Sequence, residues 1–165
     1  MMWVVCLLLA GPLLAGSHPD FSGRWLLDSG ASQSMDAILA AQGRTWMERK
    51  LYDSVSITQV ITQTDKELVI VIESSAAPSR TERLNLDGSN QTKETARAGT
   101  VTTRTFWESD TTLTTSTKMK LADGSPADWI IRRSLSDGGQ TLVQAVELVA
   151  QDGRKYTSRR IFRKQ

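Results

Sequence analysis

The order in which patterns follow one another limits the fold of this chain more than any single motif. One short strand comes first, at Phe21, Gly23 and Trp25. Two short helical patterns follow, and every segment after Tyr52 reads as strand, turn, strand to the C-terminus. A strand, a helical pair and then a long run of hairpins fits a β-barrel with a helical lid. The shape implies an interior that holds something.

Phe21, Gly23, Trp25 and Leu27 share one face at period two, with Gly23 allowing close backbone approach and Trp25 suited to a closed barrel end. Ser34 stands as a cap before a helix whose Met35, Ile38 and Leu39 form one stripe, with Asp36 in the first turn and Gly43 at its end. Thr45 and Glu48 then form a capping box for a second helix carrying Trp46, Met47 and Leu51. Neither helix is long enough to be stable alone, so both are expected to lie on a surface.

The remaining strands are expected over residues 54–64, 67–73, 80–86, 91–95, 99–107, 111–121, 127–136, 141–150 and 154–163, with residues 75–79, including Pro78, as a loop. Asp-Gly pairs at 87–88, 123–124, 137–138 and 152–153 supply residues that accept positive φ. The fold class is therefore all-β: a ten-stranded antiparallel up-and-down barrel capped by a helix-turn-helix between strands one and two. A meander this long is expected to close on itself, which removes exposed edges. Two central strands are rich in threonine, which packs a dry core poorly. Their inner face should be partly polar and the cavity wet; a polar outer face on an ordinary sandwich is the alternative.

Composition narrows the function. A net charge of +2 without a basic, aromatic-interleaved cluster argues against nucleic acid. Residues 1–17 are apolar, uncharged and closed by Ala15, Gly16 and Ser17, the pattern of a secretory signal cleaved near Ser17. That divides the chain into a signal peptide, 1–17, and a barrel domain, 18–165, and implies a secreted or periplasmic protein. An uncleaved anchor through residues 3–15 is the alternative. Cys6 does not sit in a lipobox setting, and cleavage would remove this only cysteine and with it any thiol chemistry. His18 is the only histidine and lies beside the cleavage site. No metal site, cofactor or catalytic residue is expected.

Several residues resemble the intracellular lipid-binding family, the fatty-acid-binding and cellular retinoid-binding proteins of the calycin superfamily, here as an exported variant. The carriers of the resemblance are F-x-G-x-W at Phe21, Gly23 and Trp25, the helical segment from Met35-Asp36 to Gly43 with Trp46, Arg49 and Lys50 beyond it, and the ending Arg160-Ile161-Phe162. The resemblance implies a monomeric carrier of a fatty acid or similar small hydrophobic ligand, not an enzyme. It implies ligand contacts at Arg160 and Phe162, with Phe162 at a position where the family has tyrosine. Counting back from the Asp123-Gly124 turn puts Lys118 near the family's central-strand arginine. Ile38, Trp46 and Met47 would form the lid and portal, with transient membrane contact through that lid. The residues themselves support Arg160: it shares a face with Tyr156, Ser158 and Phe162, whereas Arg159 shares one with Thr157, Ile161 and Arg163. Two other functions stay open on the same barrel: an enzyme acting on a lipid, and a lipocalin-like structural or protein-binding barrel without lipid cargo.

Overall fold

A computed structural model of the chain describes residues 18–96 and 98–165; the apolar leader of residues 1–17 lies outside the described residues. The elements run β1 (Gly23–Leu27), α1 (Asp36–Ala41), α2 (Trp46–Ser54), β2 (Ile57–Gln63), β3 (Glu67–Ser74), β4 (Ala77–Asn85), β5 (Asn90–Thr95), β6 (Gly99–Trp107), β7 (Leu113–Lys120), β8 (Pro126–Ser136), β9 (Thr141–Ala150) and β10 (Lys155–Lys164). All ten strands form one antiparallel sheet in the order β4-β3-β2-β1-β10-β9-β8-β7-β6-β5. The first strand therefore joins the last, with Trp25 opposite Lys164 and Leu27 opposite Phe162.

The barrel is nearly closed rather than closed, which corrects the expectation of full closure. β4 and β5 end the sheet and do not pair. One side chain spans the gap near the Asp87-Gly88 turn. Gln91 accepts from the Asn85 backbone N–H at 2.8 Å and donates to the Arg83 carbonyl at 3.3 Å. The gap also explains Pro78, expected in a loop but placed on β4. A sheet edge needs no ladder bond from every residue, so it tolerates proline.

Two apolar clusters divide the core. Phe21 and Trp25, both fully buried, fill the closed end with Leu68, Leu113, Leu142 and Phe162. The Trp25 indole N–H donates to the Phe21 carbonyl at 2.9 Å, so the buried ring leaves no polar atom unpaired. Beneath the lid, Met35, Ile38 and Leu39 pack with Leu121, Val146 and Leu148. Each large apolar side chain so buried contributes roughly 1.5–3 kcal/mol. Gly43 sets the seat of α1. Its φ is +77°, and a Cβ there would lie 2.8 Å from that of Ala122, while the Ala122 N–H reaches the Ala41 carbonyl at 3.2 Å. A side chain at 43 would push the lid off the β7–β8 turn.

The second helix departs from expectation in its packing. Its capping box is formed, with the Glu48 N–H donating to the Thr45 hydroxyl and the Thr45 N–H to the Glu48 carboxylate. Yet Trp46, Met47 and Leu51 are 65, 74 and 53% exposed, and α2 has no fully buried residue. It meets the barrel mainly through Tyr52, which packs against both clusters.

Candidate functional site

Alternation along each strand decides what faces inward. On β10, Ser158, Arg160 and Phe162 are buried, and Arg159 and Arg163 are exposed. On β8 the same period puts Trp129, Ile131 and Arg133 on the inner face. The threonine-rich strands present Thr103, Thr115 and Thr117 to the interior. The result is a cavity of about 500 Å³, apolar over most of its wall and polar along one band.

The polar band follows the strand register. Arg133 on β8 lies opposite Gln144 on β9, and Gln144 lies opposite Arg160 on β10. Directly opposed residues point to the same face, so two guanidinium groups flank one amide in a single cross-strand row. The Gln144 amide donates to the Gln59 carbonyl oxygen at 2.9 Å, tying the row to β2 across the interior. A threonine ladder continues it. Arg133 donates through Nη1 to the Thr115 hydroxyl at 2.9 Å, Thr105 donates to Thr115 at 3.2 Å, and the Thr103 and Thr117 hydroxyls are 2.9 Å apart.

Neither arginine is fully satisfied. Arg133 and Arg160 are 2 and 7% exposed, and the Nε of each is buried with no hydrogen-bond partner among the described residues. Burial pushes the Arg133 guanidinium down to about 10, so it stays cationic at neutral pH. The guanidinium carbon of Arg160 stands 5.3 Å from the Tyr52 ring centroid, a cation–π contact linking the second helix to the polar band. A buried cation with unmade hydrogen bonds is costly unless an anion joins it. The site is therefore chemically suited to an acidic group with an apolar body.

The structure distributes the expected site residues unevenly. Arg160 and Phe162 line the cavity. Lys118 does not: it sits on the outer face of β7, its side chain 79% exposed and 3.4 Å from Asp128. Its neighbours Thr117 and Met119 point in, and parity sends Lys118 out. The second inward cation is Arg133, one strand further along. Ile38 is fully buried in the cluster under the lid rather than at a portal. Trp46 and Met47 lie on the outer side of the lid, in solvent. Arg133, Gln59, Gln144 and Tyr52 were not singled out by sequence reasoning. Arg133 carries a usable signal, its shared period-two face with Trp129 and Ile131; the Gln59–Gln144 pair, 85 residues apart, carries none.

His18 lies outside the cavity lining. It stacks on Trp107 at 4.0 Å with the rings 5° from parallel, and its Nδ1 is 3.2 Å from the Asp110 carbonyl oxygen. Among the described residues no group of three His, Cys, Asp or Glu side chains could hold a metal ion.

No protein-family model matches the sequence, and no curated protein matches it. Solved structures do match. The Schistosoma mansoni fatty acid binding protein, determined in complex with arachidonic acid, superposes with a TM-score of 0.67 at 19% identity, covering 91% of this chain and 99% of that one. The REP1-NXSQ fatty acid transporter gives 0.66 at 19% identity, over 87 and 95% of the two chains. Apo Caenorhabditis elegans lipid binding protein 8 gives 0.66 at 16% identity, over 88 and 95%. Ten antiparallel strands in a nearly closed barrel, with two helices between the first and second, give this chain the fold of the fatty-acid- and lipid-binding proteins.

Proposed function

We propose that the protein binds and carries, without chemical turnover, a fatty acid or similar single-chain amphiphile in the barrel cavity. The observation that carries this reading is the pair of buried arginines, each with an unpartnered Nε, on the wall of a largely apolar cavity of about 500 Å³. The acidic head would meet Arg160 and Arg133, and the tail would lie against Leu39, Ile57, Ile70, Ile72 and Val146. A buried methylene contributes roughly 0.8 kcal/mol. About ten of them give ~8 kcal/mol, micromolar binding before association costs. A charged hydrogen bond adds ~1.5–3 kcal/mol. The tail thus sets most of the affinity, and the arginines set orientation and head-group preference.

Membrane contact belongs to the same reading. Trp46, Met47, Lys50 and Leu51 occupy one exposed face of α2, an apolar patch with a cation beside it. Such a face suits the interface of an anionic membrane. Export through residues 1–17 completes the proposal; a secreted protein whose N-terminal sequence begins near His18 would support it, and retention of the leader in the membrane would oppose it. The carrier itself is tested with delipidated protein and a fluorescent fatty acid. One-site displacement, with Arg160→Ala weakening a fatty acid more than an uncharged analogue of equal length, is expected. Equal losses for both ligands, or turnover of the lipid, would overturn it.

A further inference from the structure

The charge on the cavity wall exceeds what one carboxylate can balance. Five cations line it, but Arg44 pairs with Glu48 at 3.3 Å and the Arg80 side chain lies mostly in solvent, so the buried excess rests on Arg133 and Arg160, and Glu82 is the one acidic side chain among the described lining residues. Glu82 is itself 3.6 Å from Arg80, with which it forms an ion pair. Among the described residues Glu82 makes no hydrogen bond to Arg133 or Arg160, although its charge acts on Arg133, and the Nε of each arginine stays open.

The arrangement of the two deep cations adds to the count. Arg133 and Arg160 are separated by Gln144 in one cross-strand row. Two strand spacings place their Cα atoms roughly 10 Å apart, and both side chains project from the same face. A head group lying over Gln144 can meet both guanidinium groups from opposite sides. Gln59, whose carbonyl oxygen accepts from Gln144, keeps its NH₂ as a further donor to the same space. The site is rich in donors and poor in acceptors. A carboxylate has two oxygens and a single charge; it leaves one of the two buried guanidinium groups without a directly bonded anion. A phosphate monoester has three strong acceptor oxygens and a charge of about −1.5 to −2 at neutral pH. Guanidinium groups match phosphate oxygens in paired, planar geometry.

We infer that this head-group site is built for a dianion, a phosphate monoester borne on a single alkyl or acyl chain, in preference to a carboxylate of the same length. The inference rests on the lipid-binding reading above and names the head group that reading leaves open.

The test compares hexadecyl phosphate, hexadecanoate and hexadecanol as competitors of a bound fluorescent probe at pH 8, below their aggregation limits, on native protein and on Arg133→Gln. The phosphate is expected to bind at least about tenfold tighter than the carboxylate, the gain of one further charge-assisted hydrogen bond. In Arg133→Gln that advantage should fall to within about threefold, with hexadecanol unchanged. Equal or tighter binding of hexadecanoate by native protein overturns the inference and leaves the carrier reading intact, as does a phosphate advantage that survives Arg133→Gln. If none of the three displaces the probe, the carrier reading itself fails.

Discussion

Arg133→Met separates a binding role for the buried arginine from a structural one, because the two predict opposite changes in ligand-free stability. The substitution removes the charge and keeps an unbranched side chain of similar reach. In the native protein, burial pulls the Arg133 guanidinium down to about 10 from the ordinary arginine value. That difference corresponds to about 3 kcal/mol against the charged form. The bond to Thr115 at 2.9 Å offsets about 1.5–3 kcal/mol of it. Thr115 keeps a partner in Thr105 when the arginine goes, and methionine adds buried apolar surface. Ligand-free Arg133→Met should thus be more stable by up to about 2 kcal/mol, a rise in Tm of up to roughly 4–8 °C for a chain this long. Affinity for an anionic lipid should fall about 10- to 100-fold, while an uncharged alcohol of equal length changes by less than about threefold. Thermal unfolding of delipidated protein and probe displacement read the two effects. A lower Tm with equal losses for charged and uncharged ligands would make Arg133 a brace for the threonine ladder rather than a ligand contact.

Two further outcomes follow from the surface. Replacing Trp46 and Met47 with serine should leave stability within about 0.5 kcal/mol, since both are exposed, yet slow delivery of a fluorescent fatty acid to anionic vesicles about tenfold; stopped-flow transfer at rising vesicle concentration measures it, and unchanged rates would remove the second helix as the contact. Stability should be flat from pH 8 to 5 and decline below about pH 4. Backbone and hydroxyl hydrogen bonds first, then Arg163, Arg132 and Arg154, hold Asp28, Glu108 and Asp123 below the ordinary carboxylate range. A folded-state value below the unfolded one gives stability that is present above the unfolded pKa and lost as pH falls through the folded one. A Tm that instead dropped between pH 8 and 6 would contradict this assignment.

Local signals in the sequence translated directly into structure. The capping box at Thr45 and Glu48 formed as read, because every group in it lies within one helical turn. Parity on the last strand placed Arg160 and Phe162 inside and Arg159 outside. The threonines of β6 and β7 do line a cavity, with their hydroxyls paired to one another. A distance along the chain does not fix which face a strand residue takes. Lys118 was located by counting from a turn, and an offset of one residue reverses the side of a sheet. The period-two face of Trp129, Ile131 and Arg133 marks the second inward cation in the same way as that of Tyr156, Ser158 and Phe162 marks Arg160. The pattern of α2 shows that it has an apolar stripe but not what covers it, so Trp46, Met47 and Leu51 were expected against the barrel and lie in solvent. The gap beside β4 left no mark except Pro78, which reads equally well as a loop residue.

On the proposed reading, the interior accepts one acidic single-chain lipid and holds it by its head. Native mass spectrometry of delipidated protein, mixed with equimolar hexadecyl phosphate, hexadecanoate and hexadecanol, tests it directly. A single lipid per chain is expected, with the acidic species retained over the alcohol and that preference abolished in the Arg133→Met, Arg160→Met double variant. A spectrum of bare protein under all three ligands, or an acid-over-alcohol preference unchanged in the double variant, would contradict it.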